Sequence, residues 1–374
     1  MAETPRGGLA QVVAASTALS DVDGKAARLV YRGYNIHDLA GRISFEECVH
    51  LLQRGALPTQ EQLDELRAEL AASRGIGAAV EKTLPLVASS GTPMEALRSL
   101  ISISSIDDPD AADSSPRANQ RKALRLVAQM PVLVARYQAA RTGRSVPDPD
   151  PFLGIAGNFL LRITGKHPSE RQVAIFDECL VLHADHSMNS STFTARVVAA
   201  TLSDMYSAIT AAMGALRGPL HGGANEAVMK TLQQIGSVAA VEAEVKARLD
   251  RGEKIMGFGH RVYKTGDPRV TYLRQLSGEL AEMTGDRLYY DISCRMEQVV
   301  KQTKGLYPNV DFYAASVYSA LGIPTDLFTP VFAVSRMSGW TSHVMEQHRD
   351  NRLIRPDSEY IGERGRQWAP IETR

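Results

Sequence analysis

The sequence is poor in the residues and runs that would commit it to several common classes. Only three cysteines occur in 374 residues, Cys48, Cys179 and Cys294, far apart and odd in number. That excludes a disulfide framework or a CxxC metal knuckle and fits a reducing compartment. No apolar run approaches the ~20 residues of a membrane span, and the first residues carry Glu3 with no charged-then-apolar leader, so a cytoplasmic protein is expected. Excess charge is missing too: 42 Lys and Arg balance 42 Asp and Glu. No global field exists to hold nucleic acid or an acidic membrane, and any bound anion must be held locally. Internal repeats and low-complexity stretches are absent, and period-2 alternation is scarce. The clearest apolar β-branched stretch covers residues 27–34, so any sheet should be small and peripheral.

What is present is a globular chain, 44% hydrophobic, long enough for two or three domains. Helix starts are frequent. Ser44 with Glu47, Thr59 with Gln62, Thr92 with Glu95 and Ser169 with Gln172 all fit the capping box, in which a hydroxyl and a side chain three residues on satisfy free N–H groups. Leu63, Leu66 and Leu70 then recur at three and four, as do Val173, Phe176 and Leu180, each marking one buried stripe. The fold is expected to be mainly α. Residues 107–119 and 142–151, rich in Asp, Ser and Pro, read as loops. Residues 199–217 read as a helix of small residues, more naturally core than oligomer interface.

Four of the nine histidines fall in three short polar islands: His183 and His186 in HADHSMN, His221 in GPLHGGAN and His260 in GFGHRVYKTGDPR. Histidines in glycine-bounded turns suggest proton handling or oriented hydrogen bonding near neutral pH. His221 precedes a helix opening near Asn225, which could cap it; the helix dipole would then favour a neutral imidazole able to donate to a developing oxyanion. A buried turn histidine with a satisfied hydrogen bond is the alternative. After His260 come Arg261, Lys264 and Arg269, a concentration of positive charge suited to carboxylate or phosphate, although a solvated basic turn describes Arg261 better. GFG lacks the full GxGxxG after a strand, which discards a Rossmann site. Asp311, in PNVDFYAASVY, has apolar neighbours that could desolvate it into a general base, or it could simply cap the following helix. His183 and His186 could ligate a metal, but no third ligand has suitable spacing, so no metal is expected.

Together HADHSMNSSTFTAR, GPLHGGANEAV, MGFGHRVYKTGDPR, NVDFY, SRMSGW and RLIRP, in this order along nearly the whole chain, resemble the citrate synthase family; GLAQVVAASTALSDVDG and YRGYNIHDLA resemble its start. The resemblance implies a nearly all-helical homodimer of the short type. Residues 1–222 and 323–374 would form a large domain and 223–322 a small one that closes over the site. It implies condensation of acetyl-CoA with oxaloacetate to citrate and CoA without a cofactor. Asp311 would take the methyl proton, neutral His221 would hydrogen-bond the thioester oxygen, and His260 would polarise and protonate the oxaloacetate carbonyl. Arg269, Arg336 and, from the partner subunit, Arg355 match the arginines for the oxaloacetate carboxylates, with His186 assisting and Asn189 nearby, where a capping role is equally open. Gly257, Phe258, Gly259 and Lys264 match positions on the CoA side. 2-Methylcitrate synthase, which uses propionyl-CoA, is the close alternative; its members often resemble YAEH where this chain has HADH, so His183 tilts the reading toward citrate. An inactive binding protein on the same fold would lack some of these acids, bases and arginines, and here all are present.

Overall fold

The computed structural model describes residues 12–374; Glu3 and residues 8–11, which open the GLAQ stretch, lie outside the described residues. Sixteen α-helices and one three-stranded antiparallel sheet make up the described chain. The sheet is the small one anticipated: Ser20–Asp23, Arg28–Tyr31 and Tyr34–Asn35 meander in order, with Leu29 and Tyr31 turned inward and Arg28 outward.

All four capping boxes form, opening the helices Phe45–Arg54, Gln60–Ala72, Pro93–Ser104 and Glu170–His183, each cap stabilising its helix by about 1 kcal/mol. Two boundaries differ from expectation. The loop expected to run to residue 119 ends at Ser115, which accepts from Ala118 N and caps Pro116–Thr142, because Pro at the first helical position is favourable, not disruptive. The small-residue segment is not one helix: Ser190–Ala199 ends, a turn with Leu202 at φ 63° intervenes, and Asp204 caps a new helix, Met205–Leu216.

The helix Phe328–Arg349 is the spine. It is buried along most of its length and packs against Pro116–Thr142, Ser190–Ala199, Met205–Leu216, Phe45–Arg54 and Glu170–His183. Gly339 lets the HADH turn lie against it, since a Cβ there would stand 2.5 Å from the Ala184 carbonyl oxygen. The helices Ala224–Ile235, Val241–Asp250, Val270–Thr284, Leu288–Lys304 and Val310–Ala320 pack chiefly on one another. Among the described residues no helix is long and apolar enough to cross a membrane, and the three cysteines are unpaired.

Candidate active site

The HADH turn is held from three sides. The Tyr31 hydroxyl donates to the Asp185 carbonyl (2.9 Å) while Asp185 N donates back to that hydroxyl (3.2 Å), and the Ser20 hydroxyl donates to the Asp185 carboxylate. The spine adds His343, whose Nε2 lies 3.2 Å from Asp185 Oδ2. Arg196 Nη1, which can only donate, sits 3.1 Å from His343 Nδ1, so the ring proton resides on Nε2 and points at Asp185. Burial would raise the Asp185 pKa, but His343 and its other partners hold it below the usual value.

Two guanidinium groups follow, both almost wholly buried. Arg269 grips Asp267 with a two-pronged contact, 2.9 Å from Nε and 2.6 Å from Nη2. Arg336 donates from Nε to the His183 carbonyl (2.8 Å) and lies over the Phe332 ring, 4.7 Å from its centroid, with no ion pair among the described residues. Burial draws its pKa down to about 10, so it stays charged at neutral pH. An unpaired buried cation is costly; a bound carboxylate would relieve it.

Burial lowers the pKa of all four island histidines, which favours their neutral forms. His260 Nδ1 accepts from Val262 N (3.0 Å) and Tyr263 N (3.1 Å), so its proton sits on Nε2 and that nitrogen is a donor. Burial first, then Arg269, lowers its pKa to about 4. His186 Nε2 meets the Tyr263 hydroxyl at 3.2 Å, and burial, Arg269 and His260 push its pKa well down. His221 is lowered to about 4 by burial and by Arg336. Asn225 does not cap the next helix: Gly223 does so with its backbone alone, and Asn225 Oδ1 accepts from Glu226 N (2.7 Å). His221 Nε2 lies 2.8 Å from Ser191 Oγ, which accepts from Trp340 Nε1 (3.1 Å) and donates to Asn189 Oδ1 (2.8 Å). Asn189 Oδ1 already receives Ser191 N and Thr192 N, capping Ser190–Ala199, so the capping role open for Asn189 is realised.

Asp311 is not the cap of its helix. Asn309 is, accepting Asp311 N at 3.1 Å. That leaves the carboxyl buried with Oδ1 unpartnered, and burial pushes its pKa up to about 7 although Arg269 draws it down. Asn309 also sews the GFG loop to this helix: its N donates to the Gly257 carbonyl (2.8 Å) and its Nδ2 to the Gly259 carbonyl (3.0 Å). Gly257 is required at its place, with φ 82° and a Cβ that would lie 2.6 Å from Val228 Cγ2. Phe258 packs on Phe312 at 4.5 Å between centroids. Lys264 is exposed, its Nζ donating to the Arg261 carbonyl (3.1 Å).

The fold therefore gathers His186, His221, His260, Arg269, Arg336 and Asp311, each felt electrostatically by at least one other. Arg355 stands apart, in the non-helical tail after the spine, three-quarters exposed and paired with Asp357. His183 is wholly buried, with Nδ1 donating to the Cys179 carbonyl (2.8 Å) and its ring edge-on to Phe332; among the described residues no three His, Cys, Asp or Glu side chains gather as metal ligands. Sequence reading missed Ser191, Trp340, Tyr263, Asp267 and the Asp185–His343 pair. Asp267, two residues before Arg269, was the one with a local signal.

Residues 8–357 match the family model described as "Citrate synthase, C-terminal domain". The chain is 49% identical over 368 residues to "Citrate synthase 2" of Bacillus subtilis, covering 98% of both chains. It is 41% identical to a 2-methylcitrate synthase of Shewanella oneidensis, covering 98% of this chain and 97% of that one. Among solved structures it superposes on citrate synthase from Pyrobaculum aerophilum with a TM-score of 0.90 at 38% identity, covering 98% and 95% of the two chains. On the Thermoplasma acidophilum enzyme, in a ternary complex with carboxymethyl coenzyme A and oxaloacetate, it superposes with a TM-score of 0.92 at 30% identity, covering 97% and 98%.

Proposed function

The chain belongs to the citrate synthase family, and from that premise we propose that its buried acid, histidines and arginines condense acetyl-CoA with oxaloacetate. The observation that carries the residue assignment is Asp311: a carboxylate with pKa about 7, an unpartnered oxygen and no capping duty, suited to remove a proton from a weak carbon acid. His221 donates to the thioester oxygen as the enol or enolate forms. That role needs the imidazole proton on Nδ1, and so needs the Ser191 hydroxyl, which donates to Asn189 Oδ1 in the free protein, to turn and give its proton to His221 Nε2 when the thioester binds. The new nucleophilic carbon attacks the oxaloacetate carbonyl, and His260, protonated on Nε2, gives its proton to the developing alkoxide. Water then cleaves citryl-CoA to citrate and CoA.

Arg336, without a carboxylate of its own, and Arg269 hold the oxaloacetate carboxylates, with His186 assisting and Asn189 near the ligand as well as capping its helix. Arg355 completes the set from the partner subunit of a homodimer, which accords with its exposed position in the tail. Gly257, Phe258, Gly259 and Lys264 face CoA. Residues 223–322 act as a small domain that closes on the remainder and keeps water out, and the reaction uses no metal or cofactor. The balanced charge and unpaired cysteines fit a cytoplasmic enzyme. The competing substrate, propionyl-CoA, differs by one methylene, about 1 to 3 kcal/mol of discrimination; His183, one ring away from His221 through Phe332, favours acetyl-CoA. Steady-state kinetics with the two thioesters and oxaloacetate decides: a higher kcat/KM for acetyl-CoA is expected, and a preference for propionyl-CoA would overturn the reading.

A further inference from the structure

The segment from Gly257 to Lys264 is anchored at both ends, on different parts of the molecule. Its first half is tied to the helix of Asp311 through Asn309, and Gly259 N donates to the Tyr307 carbonyl (2.8 Å). Its second half leaves that lobe and lies on the β-hairpin. There the turn at Gly24 is stiffened by Asp23 Oδ1, which accepts from Lys25 N (2.9 Å) and Ala26 N (3.0 Å), and Lys264 N donates to the Gly24 carbonyl (3.3 Å). The approach is closer than any side chain would allow. A Cβ on Gly24 would stand 2.2 Å from the Val262 carbonyl oxygen and 2.9 Å from Val262 Cγ1. Gly24 does not occupy the left-handed region, so the need for glycine here is steric.

Tyr263 makes the other contact. Its hydroxyl shares the 3.2 Å hydrogen bond with His186 Nε2, its ring lies 4.7 Å from that of His260, and its backbone N–H is one of the two that fix the His260 tautomer. The phenol is 3% exposed. One residue therefore touches both histidines assigned to oxaloacetate, His260 on its own loop and His186 on the HADH turn.

Building on the assignments under Proposed function, we propose that Tyr263 and the bare turn at Gly24 form a latch. It docks the His260 loop onto the part of the molecule that carries His186, and this docking sets the affinity for oxaloacetate. Both are positioning residues. If oxaloacetate binds only the docked arrangement, any loss of docking is recovered from ligand binding energy: apparent affinity falls by the docked fraction, while turnover at saturation is kept. A merely structural role would lower the melting temperature and leave the ratio of KM to kcat unchanged.

Three variants test this by steady-state kinetics at saturating acetyl-CoA, with thermal melts alongside. Tyr263→Phe keeps the ring and the backbone donor and removes only the hydroxyl. It should raise the oxaloacetate KM by about 3- to 10-fold, the range of one lost hydrogen bond, with kcat within about twofold. Gly24→Ala, in a half-exposed turn remote from the core, should do the same with little change in melting temperature. Lys25→Ala, beside it and exposed, should leave KM unchanged. An unchanged oxaloacetate KM in either Tyr263→Phe or Gly24→Ala overturns the latch, as does a fall in kcat at constant KM. A wild-type protein that fails to release CoA from acetyl-CoA and oxaloacetate would instead sink the functional reading and the latch with it.

Discussion

Asp311→Asn keeps the size and polarity of the side chain and removes its charge, so it should abolish turnover and raise stability together. In the native protein burial moves the Asp311 pKa from 3.8 to about 7. The raised value means that the folded state binds its proton more tightly than the unfolded chain does. Between these two pKa values the folded protein holds more protons than the unfolded one, so stability falls as pH rises. A shift of about three units corresponds to about 4 kcal/mol lost in full above pH ~7, of which about 2 kcal/mol is already lost by pH ~5. Asparagine does not titrate.

The variant should therefore gain on the wild type by about 2 to 3 kcal/mol between pH ~5 and pH ~8. For a chain of this length that is about 3 °C in melting temperature. Over the same range kcat should be lower than wild type by about 10²- to 10⁴-fold, the contribution of a positioned base, while oxaloacetate affinity barely changes. Differential scanning calorimetry at several pH values and steady-state kinetics measure the two halves. A melting difference that does not grow with pH would show that Asp311 is an ordinary solvated carboxylate; near-normal turnover of the variant would show that it is not the base.

Ser191→Ala removes the partner of His221 Nε2 and should lower kcat about 10- to 100-fold with little effect on oxaloacetate KM; equal loss in both would mean that Ser191 only shapes the pocket. Turnover should persist after exhaustive treatment with EDTA, and activity that collapses and returns with a divalent ion would reopen a metal role for His183 and His186. Co-expression of Asp311→Asn with Arg355→Ala should return part of the activity that each lacks alone, because Arg355 acting in trans leaves one of the two sites of a mixed dimer fully wild type. Purified mixed dimers as inactive as the parents would place Arg355 in its own subunit's site.

What could be read from the sequence divides along the range of the forces involved. Capping boxes depend on groups three residues apart, and all four proved legible, as did the stripe Leu63, Leu66 and Leu70 and the small sheet. Sequence and structure part where two local rules compete: Pro116 reads as a loop residue, but Ser115 makes it a first-turn residue, and Asn225 and Asp311 each suggest a cap that a neighbour, Gly223 or Asn309, supplies.

The residues of the candidate site were recognisable because glycine-bounded histidines and clustered cations are local patterns, and the His260 tautomer is set locally too, but much of the remaining tuning is not. His221 owes its depressed pKa to burial and to Arg336, 115 positions later by the numbering, and its hydrogen bond to Ser191 on a different helix. His343 is oriented by Arg196 so that it can hold Asp185, which fixes the turn bearing His186. Motif spacing names the acids and bases, whereas their protonation states follow from desolvation by the whole core. Burial leaves the histidines neutral donors and Asp311 a carboxyl poised near pH ~7. Replacing Phe332, whose ring neighbours those of His183 and His221 and lies beneath the Arg336 guanidinium, by a smaller side chain would therefore change the chemistry of several site residues at once without altering any of them.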